Sequence, residues 1–103
     1  MQNGLTVELV TFKLNEGADE AAFLQAADAV MADIRQLPGY VRRELLKGDD
    51  GQWIDVVHWR SRADALAAAE LFNTLPSAQA FGSFLDFTSV TMLHPVQALV
   101  WDN

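Results

Sequence analysis

Apolar positions along the chain change from a strand-like spacing to a helix-like spacing and back. Residues 5–14 are dense in Val, Leu, Thr and Phe and are followed by a turn signal at Asn15, which predicts a first strand. From Asp19 the apolar residues recur at helical intervals, which predicts a helix of about 18 residues with one apolar stripe. Pro38 and Gly39 end this helix, because proline cannot continue it and glycine favours a stop.

The middle of the chain predicts an antiparallel hairpin followed by a second helix. Residues 40–47 and 53–59 are strand-like, and Gly48-Asp49-Asp50-Gly51 joins them as in a tight hairpin connection. Ser61 and Asp64 have the spacing of an N-cap and the third residue of the helix that follows. The two strands should therefore pair directly.

The end of the chain predicts a short helical piece and a long last strand. Pro76 interrupts the second helix, and residues 78–84 predict a further short helical segment. Residues 90–101 are apolar and β-branched and predict a final strand, in which Pro95 places a bulge, a bend or an edge position. The order β-α-β-β-α-β predicts a single α+β domain over residues 1–103, ferredoxin-like, with a four-stranded antiparallel sheet and the helices on one face.

Both faces of the predicted sheet carry apolar side chains. By alternation, strand one places Val10, Phe12 and Leu14 on one side and Val7, Leu9 and Thr11 on the other. The third strand, 53–59, also lacks a clean alternation of apolar and polar residues. A bare second face would expose more apolar surface than soluble monomers usually tolerate. We therefore expect two copies to pack their sheets face to face across a twofold axis.

Composition narrows the class of partner and the chemistry. The 103 residues include 14 acidic and 7 basic side chains, a formal charge of −7, which disfavours nucleic acid and anionic lipid as partners. The chain has no cysteine, hence no disulfide and no thiolate chemistry, and it shows no metal-ligand spacing and no phosphate-binding loop. No apolar run approaches the ~20 residues of a membrane span, and no leader pattern precedes the first strand. We expect a cytoplasmic protein.

Three stretches resemble the dimeric α+β barrel superfamily, and within it the antibiotic-biosynthesis monooxygenase type. They are the strand Val-Thr-Phe-Lys-Leu followed by Asn-Glu-Gly, the helix stop Leu-Pro-Gly-Tyr, and the run from Asp55 to Ser61 that leads to Ala65. The resemblance covers nearly the whole chain. It implies the dimeric barrel fold, whereas the activity stays open, because the superfamily includes cofactor-free oxygenases, haem-degrading enzymes, isomerases and dehydratases.

The haem-degrading branch of this superfamily does not match at its site residues. Its members resemble one another in an Asn on strand one, a Trp on strand three and a His on the second helix, and only the Trp is matched, by Trp59. Leu9 and Val10 stand around the Asn position, and residues 62–73 contain no histidine. We expect no haem and no other cofactor.

A monooxygenase of the quinol type needs an apolar slot and a polar group that assists deprotonation, so that a carbanion meets oxygen.

The two histidines are candidate catalytic residues, because an unperturbed imidazole titrates near neutral pH. With strand three taken as parallel to strand one, His58 near the end of strand three and His94 early in strand four lie at the same end of the sheet, near Thr11 and Lys13. Their backbones are then two strand spacings apart, about 10 Å, which fits two sides of one pocket. The alternative is that each is a hydrogen-bonded histidine at a strand end or an interface.

Trp59 is the third catalytic candidate, with core packing as its alternative explanation.

An acid inside an apolar strand, such as Asp55, must face solvent, pair with a base or stay protonated, and Arg42 or Arg43 on the neighbouring strand is a suitable partner. Glu8 on strand one must likewise face solvent, pair with a base or stay protonated. We assign ligand contacts to Thr11, Phe12, Asp55 and Phe72.

Three functional hypotheses follow. The first is a cofactor-independent monooxygenase acting on a small apolar, aromatic or polyketide-like molecule held between helices and sheet, which predicts a pocket reached by Trp59 and at least one histidine. The second is a non-catalytic protein that binds a similar small ligand and has an unperturbed pocket lining. The third is an interaction protein that only forms the dimer, which predicts an interior filled by side chains.

Overall fold

A four-stranded antiparallel sheet carries the helices on one of its faces. The computed structural model describes residues 4–101. Within this range the elements are β1 (Thr6–Leu14), α1 (Glu20–Ala29), α2 (Met31–Ile34), β2 (Tyr40–Lys47), β3 (Trp53–Trp59), α3 (Arg62–Phe72), α4 (Pro76–Gly82) and β4 (Leu85–Leu93). The sheet order is β2-β3-β1-β4, which confirms the α+β ferredoxin-like fold.

The relative direction of strands one and three differs from the prediction. β3 is antiparallel to β1, and Val7 lies opposite His58 in the register of this pair. The expectation of a parallel pair was wrong because the crossover through α1 makes β1 and β2 parallel. The hairpin then returns β3 between β1 and β2, antiparallel to both.

The first helical region is two segments rather than one. Val30 separates α1 from α2, yet its backbone stays helical, and its N–H donates to the Ala26 carbonyl at 3.2 Å. Asp19 caps the start, where its Oδ1 accepts from the N–H groups of Ala21 and Ala22. The predicted cap of the second helix is confirmed, since Ser61 Oγ accepts from the backbone N–H at the third position of α3 at 3.0 Å.

The last strand lies earlier in the chain than predicted. β4 spans Leu85–Leu93, and only an isolated bridge between Thr6 and Val96 continues the pairing towards the chain end. Proline removes the N–H at position 95, so the ladder stops there, although the Pro95 carbonyl still accepts from Val7 N–H at 2.8 Å. The short helical piece begins at Pro76, in the first turn, where proline is tolerated.

The connection between β2 and β3 is the predicted tight hairpin turn. The Gly48 N–H donates to the Gln52 carbonyl at 2.7 Å, and Asp50 and Gly51 adopt φ values of 56° and 77°. Gly51 suits this left-handed conformation because it has no Cβ.

The hydrophobic core lies between the sheet and the helices. Phe12, Phe23 and Val30 are its largest fully buried side chains. Phe23 contacts Trp53 and Phe81 with ring centroids 5.0 and 5.5 Å apart, and each such pair contributes about 0.5–1.5 kcal/mol beyond simple burial. Val10 and Leu14 pack against this core, as the alternation along strand one predicts.

The opposite sheet face has no helix on it among the described residues. Leu46 and Leu93 on this face are 44% and 63% exposed. The segment after β4 is also apolar and exposed, with Leu99 at 70% and Trp101 at 80%. None of the helices in residues 4–101 combines the length and the apolar character needed to cross a membrane.

Candidate functional site

A cavity of about 570 Å³ lies between the core face of the sheet and the helices. This volume is within the range of small-molecule sites. Its walls are mainly apolar, and in the described part of the chain the charged side chains that line it are two acids, Glu8 and Asp55. The apolar wall includes Val10, Phe12, Val57, Trp59, Phe72 and Phe81.

Glu8 is an acid in a largely apolar place. It is on β1 with the same alternation as Val10 and Phe12, so its side chain faces the core and is only 13% exposed. Burial raises the pKa of Glu8 above its usual value, and the negative charge of Asp55 adds to that rise. A carboxylate with a raised pKa is a better proton acceptor near neutral pH than an ordinary glutamate.

Two neighbours partly offset the rise in the pKa of Glu8. Trp59 Nε1 donates a hydrogen bond to Glu8 Oε1 at 3.3 Å, and His94 Nε2 lies 3.7 Å from Glu8 Oε2. The Trp59 hydrogen bond and the charge of His94 both favour the ionised carboxylate and so lower its pKa. Glu8 therefore connects an aromatic wall of the cavity with a histidine at the end of β4.

Asp55 has a different environment, because its two oxygens are already occupied. Arg43 Nε and Nη2 donate to Asp55 Oδ1 and Oδ2 at 2.9 and 2.8 Å. Arg43 Nη1 also donates to the Ala27 carbonyl at 2.7 Å, and its guanidinium lies 5.4 Å from the centre of the Phe81 ring. This pair confirms the predicted ion pair between Asp55 and a neighbouring arginine and leaves Asp55 as a fixed part of the wall.

The two histidines lie at the same end of the sheet but on different faces. His94 directly follows β4 and reaches Glu8, and its Nε2 is buried without a hydrogen bond. His58 alternates with the core residues Val57 and Trp59, so it lies on the face opposite the cavity. Burial and the charge of Arg42 lower the pKa of His58.

The end of the sheet that holds the histidines is also different from the predicted one. His58 is opposite Val7 in the register, and Val7 bonds to the residue after His94. The expected position near Thr11 and Lys13 was wrong, because β3 runs in the opposite direction and His94 follows its strand rather than beginning it. Each difference moves one histidine to the other end of the sheet, so the two still share one end.

The remaining predicted site residues divide between the cavity and the opposite face. Trp59, Phe12, Asp55 and Phe72 line the cavity. Thr11 lies on the opposite face, where its hydroxyl shares a hydrogen bond with the Thr91 hydroxyl. Within residues 4–101 no cluster of three or more His, Asp or Glu side chains is arranged to hold a metal ion.

Glu8 was not among the predicted site residues, although the sequence contained a signal for it. It has the same parity as Phe12, so alternation alone places an acid on the buried face of the first strand. Its neighbours Trp59 and His94 are 51 and 86 positions away in the chain, and their approach to it follows only from the register of β1 with its two partners.

Comparison with known proteins identifies the fold. No protein-family model matches the chain, and the curated proteins gave no significant match. A variant of SnoaB, a cofactor-independent oxygenase from Streptomyces nogalater, superposes with a TM-score of 0.78 at 17% identity, over 96% of this chain and 98% of SnoaB. A proposed antibiotic biosynthesis monooxygenase from Nitrosomonas europaea gives a TM-score of 0.71 at 16% identity, over 95% of this chain and 94% of that one.

A third similar structure is a dimeric ferredoxin-like protein from an uncultured marine organism. It superposes with a TM-score of 0.71 at 11% identity, over 97% of this chain and 93% of the other. The chain therefore has the fold shared by antibiotic biosynthesis monooxygenase-like and dimeric ferredoxin-like proteins, which confirms the resemblance at the level of the fold. At these identities the likeness extends to the fold alone.

Proposed function

We propose that the protein is a cofactor-independent monooxygenase that acts on a small aromatic molecule held in the cavity, with Glu8 as the general base. The observation that carries this proposal is the position of Glu8. Its carboxylate is nearly buried, lines an apolar cavity of about 570 Å³ and has one oxygen, Oε2, without a hydrogen-bond donor.

The chemistry that this arrangement supports begins with proton transfer. A methylene group that lies between two aromatic rings of a tricyclic ketone gives up a proton to Glu8 Oε2, and the resulting carbanion is delocalised over the rings and the carbonyl. Reaction with O₂ then converts the methylene to a carbonyl: one oxygen atom enters the substrate, and the other leaves as water with the two methylene hydrogens. The substrate supplies all the electrons, so no redox cofactor is required.

Trp59 and the apolar walls have separate roles in this proposal. The Trp59 indole N–H holds Glu8 Oε1 at 3.3 Å and so orients the carboxylate with Oε2 free for the substrate. Phe12, Phe72 and Phe81 provide flat apolar surface against which an aromatic ring packs. The low polarity of the site raises the basicity of Glu8 and keeps water away from the carbanion.

The comparisons support the proposal without identifying a substrate. SnoaB is described as a cofactor-independent oxygenase, and its fold covers 96% of this chain. A second candidate function is a non-catalytic protein that binds a small aromatic ligand, which is favoured by the full pairing of Asp55 with Arg43. The raised pKa of Glu8 favours catalysis over this alternative. An interaction protein that only forms a dimer is disfavoured, because it predicts a filled interior rather than this cavity.

We also propose that two copies of the chain associate through the sheet face opposite the helices. This face carries Leu9, Ile54 and Val56 at its centre and the exposed Leu46 and Leu93 at its edges. Apolar side chains left exposed on one face of a sheet are typical of a surface that another molecule covers. A structurally similar protein is described as dimeric, which supports the same assembly here.

The function is tested with anthrone, a tricyclic ketone whose methylene group lies between two aromatic rings. Oxygen uptake is followed with an oxygen electrode, and the product is analysed by mass spectrometry after reaction under ¹⁸O₂. We expect anthraquinone to form faster than in buffer, with one labelled oxygen atom per molecule and one O₂ consumed. Anthrone that binds to the protein without faster oxygen uptake would favour the non-catalytic alternative.

A further inference from the structure

We infer that Glu8 determines the charge specificity of the cavity: it accepts an uncharged aromatic ligand that donates a hydrogen bond, and it excludes aromatic carboxylates of the same shape. This inference rests on the proposed binding of an aromatic molecule in the cavity. It concerns which molecules enter, whereas the proposed function concerns what happens to them.

The first argument is the charge of the cavity wall. Among residues 4–101, the two charged residues that line it, Glu8 and Asp55, are both acids, and no lysine or arginine does so. The nearby Arg43 is occupied, since Asp55 takes two of its nitrogens and the Ala27 carbonyl accepts from Nη1. An anionic ligand in this cavity therefore meets a carboxylate and no free lysine or arginine, and His94, which lies 3.7 Å from Glu8 Oε2, is not part of the cavity lining.

The second argument is the hydrogen-bonding capacity of the two carboxylates in the wall. Both oxygens of Asp55 accept from Arg43, and Glu8 Oε1 accepts from Trp59. Glu8 Oε2 has no donor, because His94 Nε2 is 3.7 Å away and itself lacks a hydrogen-bond partner. A ligand hydroxyl directed at this oxygen satisfies it, whereas a ligand carboxylate adds a like charge beside it.

The surroundings make this repulsion strong. Glu8 is 13% exposed, and its neighbours in the cavity are mainly apolar, so neither water nor salt screens a charge placed there effectively. Like charges brought together in such a site cost several kcal/mol unless one of them is neutralised. Rejection of the anion is thus a property of one residue, Glu8, rather than of the overall charge of the protein.

The test compares 2-naphthol with 2-naphthoate, which have the same ring system and differ in charge at neutral pH. Dissociation constants are measured by isothermal titration calorimetry for the wild type, Glu8→Gln, Glu8→Asp and Glu70→Gln. Glu70 is an exposed acid on α3 outside the cavity wall, so its variant changes the net charge equally.

The wild type should bind 2-naphthol at least about tenfold more tightly than 2-naphthoate. Glu8→Gln should reduce this ratio to about threefold or less, while Glu8→Asp and Glu70→Gln should keep it near the wild-type value. Equal affinities in the wild type, a ratio that Glu8→Gln leaves unchanged, or a wild type that binds neither ligand would overturn the inference. Charge selection without oxygen uptake from anthrone would instead leave the inference standing and contradict the oxygenase.

Discussion

Glu8 Oε2 and His94 Nε2 lie 3.7 Å apart, and both side chains are 13% exposed. The distance is too long for a hydrogen bond, yet each of these two atoms lacks another partner in the described structure. A shift of less than an ångström would bring them into contact. His94 is therefore placed to influence the protonation of Glu8, which lines the cavity.

Replacing His94 should raise the pKa of Glu8. The positive charge of His94 lowers this pKa by favouring the ionised carboxylate. His94→Gln removes that interaction, so the rise in the pKa that burial causes is less offset. The measurement is a pH titration of the side-chain carboxyl carbons by ¹³C NMR. His58→Gln is the matched control, because His58 lies on the opposite face of the sheet. An unchanged or lower pKa of Glu8 in His94→Gln would show that the two groups are not coupled.

Glu8 should make the protein less stable as the pH rises. Because the pKa of Glu8 is raised in the folded state above the ordinary 4.5, the native protein binds this proton more tightly than the unfolded chain does. The stabilisation that comes from this proton is present in full below the pKa of Glu8 in the unfolded chain. It is lost as the pH rises through the pKa of Glu8 in the folded protein. Glu8→Gln cannot ionise and should gain stability relative to the wild type over this interval.

The stability comparison is made by urea denaturation from about pH 4 to about pH 8. The difference in the free energy of unfolding between Glu8→Gln and the wild type should grow with pH and then become constant. Glu70→Gln, at an exposed position, should show no such trend. A difference that decreases with rising pH would mean that the pKa of Glu8 is lowered rather than raised.

Breaking the Arg43–Asp55 pair should strongly lower the free energy of unfolding. The two side chains are 6% and 11% exposed, and Arg43→Met leaves a nearly buried carboxylate without its partner. We expect a loss of about 3 to 5 kcal/mol in the free energy of unfolding, measured by chemical denaturation. Lys47→Met removes the exposed ion pair with Glu20 and should cost about 1 kcal/mol or less. Similar losses in the two variants would contradict the role given to burial.

Association of two copies should depend on the sheet face opposite the helices. Leu46 on that face and Leu66 on α3 are 44% and 42% exposed, so they form a matched pair. Leu46→Glu should shift the protein from dimer towards monomer in sedimentation velocity, because it introduces a charge into the contact. Leu66→Glu should remain dimeric. Dissociation by Leu66→Glu with no effect of Leu46→Glu would place the interface on the helices instead.

The Arg43–Asp55 pair illustrates what the sequence could predict. An acid within the apolar run 53–59 required a partner, and the hairpin turn at 48–51 fixed β2 as the neighbouring strand. Local signals of this kind, a turn and an alternation, were sufficient because the two residues are only 12 positions apart. The helix cap at Ser61 was predictable for the same reason.

The Glu8–His94 pair illustrates what the sequence could not predict. Alternation placed Glu8 on the buried face, but its partner depends on the register of β1 with β4 and on where β4 ends. Shifting a strand by one residue exchanges its faces, and this alternation separates His58 from the cavity that Trp59 lines. The cavity itself arises from how α3 and α4 sit on the sheet, which no local pattern encodes.

The central claim is that Glu8 is the base of a catalytic cavity, and the kinetics of Glu8→Gln test it most directly. With anthrone as substrate, kcat/KM should fall by about 100- to 10,000-fold, because the proton acceptor is lost. The dissociation constant for 2-naphthol should stay within about threefold of the wild type, since glutamine still accepts a hydrogen bond. Glu70→Gln should match the wild type in both measurements. A Glu8→Gln variant that retains the wild-type kcat/KM would contradict the claim.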